Sequence, residues 1–133
     1  MNVVLHRGIA AAALVLASGA PASAVPMDEA KLQGLDKITA RVSTIEAPVG
    51  RAVTFGALEI TVRACDKRPP EEPPESAAYL EIVERKTNEE PKTVFSGWMF
   101  ASSPAVSALE HPVYDIWVLD CMSASTAESG TSQ

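Results

Sequence analysis

The chain is poor in the residues that most often carry chemistry. Its 133 positions hold two histidines, two cysteines and seven aromatics (two Trp, two Tyr, three Phe). There is no G-x-S-x-G elbow to activate a serine. There is no D-x-[DN]-x-[DN]-G calcium loop. A lone exported histidine and two distant cysteines do not match zinc-ligand spacing, so no metal and no cofactor is expected. Bases are also short: 11 Lys and Arg stand against 17 Asp and Glu, a net charge of −6. That balance makes nucleic acid and anionic lipid poor partners and reads as solubility. No apolar run approaches the roughly 20 residues needed to span a bilayer.

The N-terminus does carry a pattern. His6 and Arg7 supply positive charge, Gly8 to Ala17 (GIAAAALVLA) is apolar and uncharged, and Ser18 to Ala24 ends in Ala22-Ser23-Ala24. These are the three regions of a cleavable secretory signal. Processing after Ala24 is expected, leaving Val25 to Gln133 in a periplasmic compartment. The loss of Arg7 and of no acid takes the charge from −6 to −7. No cysteine lies near the cut, which argues against a lipid anchor.

Cys65 and Cys121 both fall in the exported part. Export places them in an oxidising environment, and two cysteines allow one internal pairing. Buried thiols and an intermolecular bridge are the alternatives. An internal bond would contribute roughly 4 kcal/mol by restricting the unfolded chain.

Along the exported chain, Val25 to Gly34 reads as a loose lead-in or one helical turn. Lys37 to Ile45 reads as a strand, Pro48-Val49-Gly50 as a turn, and Ala52 to Phe55 as a short strand ended by Gly56. Leu58 to Cys65 shows clean alternation: Leu58, Ile60, Val62 and Ala64 oppose Glu59, Thr61 and Arg63. Cys65 falls on the polar face, so a disulfide there requires the strand to end or bulge. Asp66 to Ser76 holds four prolines, which favour an extended path, with Glu71, Glu72 and Glu75 keeping it solvated. Ala77 to Val83 and Thr93 to Ala101 read as strands flanking a charged loop, Glu84 to Lys92. Ser103-Pro104 looks like a helix cap opening a single turn, with Val106 and Leu109 facing inward. Val113 to Cys121 is the last strand, and Met122 to Gln133 a disordered tail. The sum is all-β: a compact antiparallel sandwich or small barrel of about six short strands with one short helical turn.

Candidates for chemistry are few. His111 is the sole histidine after Ala24. A hydroxyl among Ser102, Ser103 and Ser107, with Glu110 or Asp115 orienting the ring, would be needed for base catalysis. The plainer reading has His111 bonding backbone beside Pro112. No catalytic residue is assigned. The aromatics are more suggestive, since Phe95, Trp98, Phe100, Tyr114 and Trp117 bracket the Ser-Pro loop. They form a core, or some ring lines a groove. Tyr114 and Trp117 point to opposite faces of one strand. Trp98, His111, Tyr114 and Trp117 are the candidate binding residues. The Pro-Glu loop is a second candidate surface.

The stretches GLDKITARVST, FGALEITVRAC, RPPEEPP and VFSGWMFASSPAVSALEHPVYDIWVLDC resemble an uncharacterised family of exported alphaproteobacterial proteins, domain of unknown function 2155. The resemblance covers roughly Leu35 to Cys121. It implies a periplasmic setting in a Gram-negative cell. It matches Cys65, Cys121, the Pro-Glu loop, Trp98 and Trp117 to the family pattern, and it transfers no activity. The resulting expectation is a non-enzymatic binding or accessory protein of the cell envelope, meeting an envelope protein or cell-wall polymer. The alternative is a small hydrolase or glycan-binding module acting on a wall polymer.

Overall fold

The computed structural model describes residues 24–124. The signal segment up to Ser23 and the tail from residue 125 lie outside the described residues. Eight strands and one 3₁₀ turn follow in order: β1 (Val25–Pro26), β2 (Glu29–Asp36), β3 (Arg41–Pro48), β4 (Ala52–Phe55), β5 (Leu58–Lys67), β6 (Ser76–Glu84), β7 (Lys92–Phe100), the turn Pro104–Val106, and β8 (Tyr114–Met122). All pairings are antiparallel. One sheet runs β1-β5-β6-β7, with β4 also pairing β5; the other runs β3-β2-β8. The all-β expectation holds, as an open two-sheet sandwich rather than a closed barrel. Among the described residues no helix is long and apolar enough to cross a membrane.

The core lies between the sheets. Leu58, Ile60, Val62, Ala78, Leu80, Ile82 and Met99 face Ala30, Leu32, Ala47, Ile116 and Val118. β6 shows why: every second residue from Ser76 to Glu84 is buried, the period-two signature of a half-buried strand.

Two segments differ from the expectation. Val25 to Gly34 is not a loose lead-in; it supplies β1 and most of β2, the central strand of the small sheet. Its inward residues include Ala30 and Gly34, whose small side chains conceal the alternation. Gly34 is required there, because a Cβ would meet the Phe55 ring at 2.8 Å. The strand placed at Lys37 begins only at Arg41. Asp36 Oδ1 accepts hydrogen bonds from the Ile38 and Thr39 amides at 2.9 and 3.2 Å. This side-chain turn closes the β2–β3 hairpin, with Ala40 at φ 56°.

The disulfide joins Cys65 on β5 to Cys121 on β8, across the sandwich, with Cα atoms 5.6 Å apart. Both cysteines are out of phase with their strands' alternation, and both strands correct it in the same way. The β5–β6 register skips Arg63, and the β2–β8 register skips Leu119. Each extra residue shifts the parity by one and turns the following cysteine inward.

The loops also hold corrections. Ser103 makes no side-chain capping bond. Val106 is exposed, while Leu109 enters the core. Glu75 is not simply solvated. Its carboxylate accepts the amides of Ser76 and Ser102 at 3.0 and 3.1 Å, and the Ser102 hydroxyl. Burial alone would raise its pKa, but those bonds and the Arg68 charge outweigh it and hold the group below its ordinary value. The Pro-Glu loop is thereby pinned to the start of the Ser-Pro loop.

Candidate functional site

The four aromatic and imidazole candidates occupy three different places. Trp98 lies on the outer face of the large sheet, 38% exposed. Its ring meets Tyr79 edge-to-face at 5.6 Å, and the Tyr79 hydroxyl bonds Ser96 at 3.1 Å. Arg63–Glu81 and Arg85–Glu59 ion pairs at 3.0 and 2.8 Å share that face.

His111 and Tyr114 sit together at one end of the sandwich. The ring centroids are 5.2 Å apart. Tyr114 also meets Phe55 at 5.7 Å, and its hydroxyl accepts the Ala57 amide at 3.2 Å. Gly56, at φ 57°, makes that approach possible, because a Cβ would lie 2.4 Å from the hydroxyl. The His111 side chain is only 7% exposed. Its Nδ1 accepts the amides of Val113 and Tyr114 at 3.0 and 3.2 Å. Nε2 therefore carries the proton and donates it to the carboxylate of Glu84. That bond, helped by the Lys86 charge, outweighs the burial that would raise it and holds Glu84 below its ordinary pKa. Lys37 Nζ reaches the His111 carbonyl at 2.8 Å and Asp115 at 3.2 Å. Both ring nitrogens are thus occupied within the fold. The orienting acid is Glu84, not Glu110 or Asp115, and the ring nitrogens bond Glu84 and the Val113 and Tyr114 amides rather than Ser102, Ser103 or Ser107.

Glu84 escaped the sequence reading, which began a charged loop there. Extending the β6 alternation by one step past Ile82 would have found it.

Trp117 is separate again. It points outward from β8, at the wall of a cleft of about 350 Å³. Pro104, Ala105, Ala108 and Leu109 of the Ser-Pro loop line it together with Asp115 and Ile116 of β8. The Ser-Pro loop builds this cleft because Leu109 is drawn into the core while Pro104 and Ala105 stay at the surface. The cleft is mainly apolar, and its only charged lining residue, Asp115, is already paired with Lys37. Such a surface can bury an apolar side chain or ring of a partner. Among the described residues no group of three or more His, Cys, Asp or Glu could hold a metal ion.

No solved structure matches the chain. A relative from Rickettsia prowazekii (strain Madrid E), itself called an uncharacterised protein, is 35% identical over 91 residues, which cover 68% of this chain. The match spans 59% of that relative's length, so less than two thirds of it. A family model described as an uncharacterised protein conserved in bacteria matches residues 30–121, from within β2 to the second cysteine. These residues hold the disulfide, the Trp117 cleft and both sheets apart from β1 and the outermost residues of β2 and β8, and the chain belongs to this bacterial family, DUF2155.

Proposed function

We propose that this is an exported, non-enzymatic binding or accessory protein of the bacterial cell envelope, which holds a protein partner through the Trp117 cleft. The observation that carries the reading is the cleft itself: an apolar recess with an indole wall, free of unpaired charge. Interfaces concentrate binding energy in such aromatic anchors. The signal-like N-terminus and the disulfide support an oxidising, extracytoplasmic address. The closed hydrogen bonding of His111 speaks against the rival hydrolase, whose general base would need a free nitrogen.

Two measurements test this. Fractionation and N-terminal sequencing should find a periplasmic protein beginning at Val25; a retained Met1 overturns the address. Crosslinking in intact cells should trap an envelope protein through a photoreactive residue at Ala105. The Trp117→Ala variant should lose that product while still folding. Equal trapping by the variant removes the cleft from the function.

A wall-polymer reading has its own observation, the exposed Tyr79–Trp98 pair among ion pairs on the other sheet. Cosedimentation with purified cell-wall sacculi that Trp98→Ala abolishes and Trp117→Ala spares would favour it.

A further inference from the structure

The exposed edges of the two sheets are not treated alike. Sheet edges present unpaired backbone groups, and proteins blunt them with bulges, charges, short strands or covering loops. β1 and β4 are short. β7 is interrupted by an extra residue at Val94 and starts at Lys92. β8 is interrupted by an extra residue at Leu119, and its Tyr114 amide is taken by His111. β3 differs: apart from the charges of Arg41 and Glu46 it has none of these devices before Pro48. It pairs with β2 without a register break, its first four residues are all exposed, and Val42 is 54% exposed.

The backbone directions on β3 follow from one bond. The Val49 amide donates to the Asp28 carbonyl at 2.8 Å, which makes that a hydrogen-bonded pair in the β2–β3 register. Antiparallel pairs alternate, so Ala47, Ile45, Ser43 and Arg41 bond β2. Val42, Thr44 and Glu46 turn their amides and carbonyls outward. These three residues are symmetric about Thr44.

We propose that β3 pairs antiparallel with β3 of a second copy, across a two-fold axis at Thr44. Thr44 then bonds the partner's Thr44, and Val42 bonds the partner's Glu46, twice over by symmetry. All outward groups of the three residues are satisfied in this one register. β3 is locally neutral, with Arg41 near one end and Glu46 near the other. Antiparallel pairing brings each Arg41 opposite the partner's Ala47 and each Glu46 opposite the partner's Val42, so no like charges meet across the seam. The chain's net charge of −6 therefore does not oppose the contact locally. The product is one six-stranded sheet, β8-β2-β3 joined to its mirror order, with a Trp117 cleft at each outer margin. This inference does not depend on what the clefts bind.

The test uses the chain from Val25 to Gln133, which holds every strand among the described residues. Sedimentation equilibrium should show a concentration-dependent rise to twice the protomer mass. Thr44→Pro removes only an outward donor, which edge strands tolerate, and should return the protein to the protomer mass with its circular dichroism retained. Thr44→Cys should form a covalent dimer on mild oxidation, because hydrogen-bonded partners lie about 5.5 Å apart between Cα atoms. Val42→Cys, which faces the partner's Glu46, should not crosslink to itself. A chain that stays at the protomer mass, or a Thr44→Pro variant that still dimerises, overturns the proposal. So does protection of the Val42, Thr44 and Glu46 amides in a protomer that loses it when residues 125–133 are removed, since the chain's own tail would then occupy the edge.

Discussion

The two ends of β6 are built to the same plan from opposite chemistry. Each end buries a polar residue, Ser76 at one and Glu84 at the other. Each is tied to β8 or the residues before it. At the Ser76 end the tie is covalent. The Cys65–Cys121 bond crosses between the sheets, beside Ser76 Oγ bonding Asp120 at 3.2 Å and Lys67 pairing with it at 3.1 Å. At the Glu84 end nothing is covalent. An imidazole holds a carboxylate, and Tyr114 packs between His111 and Phe55. A sandwich of this size therefore closes one end in a way that depends on redox state and the other in a way that depends on protonation.

The largest effect should come from the covalent end. Replacing Cys65 and Cys121 together by Ser should cost about 4 kcal/mol and lower Tm by many degrees. Thermal denaturation checks it, and the loss should be the same at pH 5 and pH 8. Unaltered melting would mean that the sheets are clamped elsewhere.

Next comes the polar end. His111→Ala strips Glu84 of its principal donor in a nearly buried place, and should cost about 2 kcal/mol in urea unfolding. Glu84→Gln should cost less, because the amide oxygen still accepts the Nε2 proton. If both variants unfold at the wild-type urea midpoint, the histidine end does not hold the fold.

Acid should separate the ends further. The folded-state pKa of Glu84 lies below its ordinary value of 4.5, and hydrogen bonding to His111 is the main cause. A depressed carboxylate contributes stability that is complete above the unfolded pKa and is lost as pH falls through the folded one. Wild-type stability should therefore decline from about pH 5 downward. Glu84→Gln should flatten that decline, and the double cysteine variant should keep it. An acid profile unchanged by Glu84→Gln would assign the sensitivity to other carboxylates, Glu75 first.

The smallest stability effects should come from the two outward tryptophans. Trp98→Ala loses an edge-to-face contact worth about 1 kcal/mol. Trp117→Ala should leave melting close to wild type while removing the partner contact. A large loss of Tm in Trp117→Ala would make the indole a structural wall of the Ser-Pro loop.

Much of this was legible in the residues alone. The all-β class, the strands from Ala52 onward, the turn at Pro104 and the pairing of two cysteines follow from alternation, prolines and cysteine count, which act over a few residues. The alternation also flagged Cys65 as out of phase, but the charges that follow it suggested that the strand ends there; β5 instead bulges at Arg63 and continues to Lys67. Other features needed the packed structure. β2 stayed hidden because its inward Ala30 and Gly34 are small, Gly34 for a reason that lies in another strand, the Phe55 ring. His111 and Glu84 are 27 residues apart and meet only because the loop before β8 returns to the end of β6. Trp98 and Trp117 look alike in sequence, yet one rests on Tyr79 and the other walls a cleft. Period and composition determine which face a side chain takes. Which other side chain it meets there is decided by sheet order and register, which are long-range and were set only when the two sheets closed on each other.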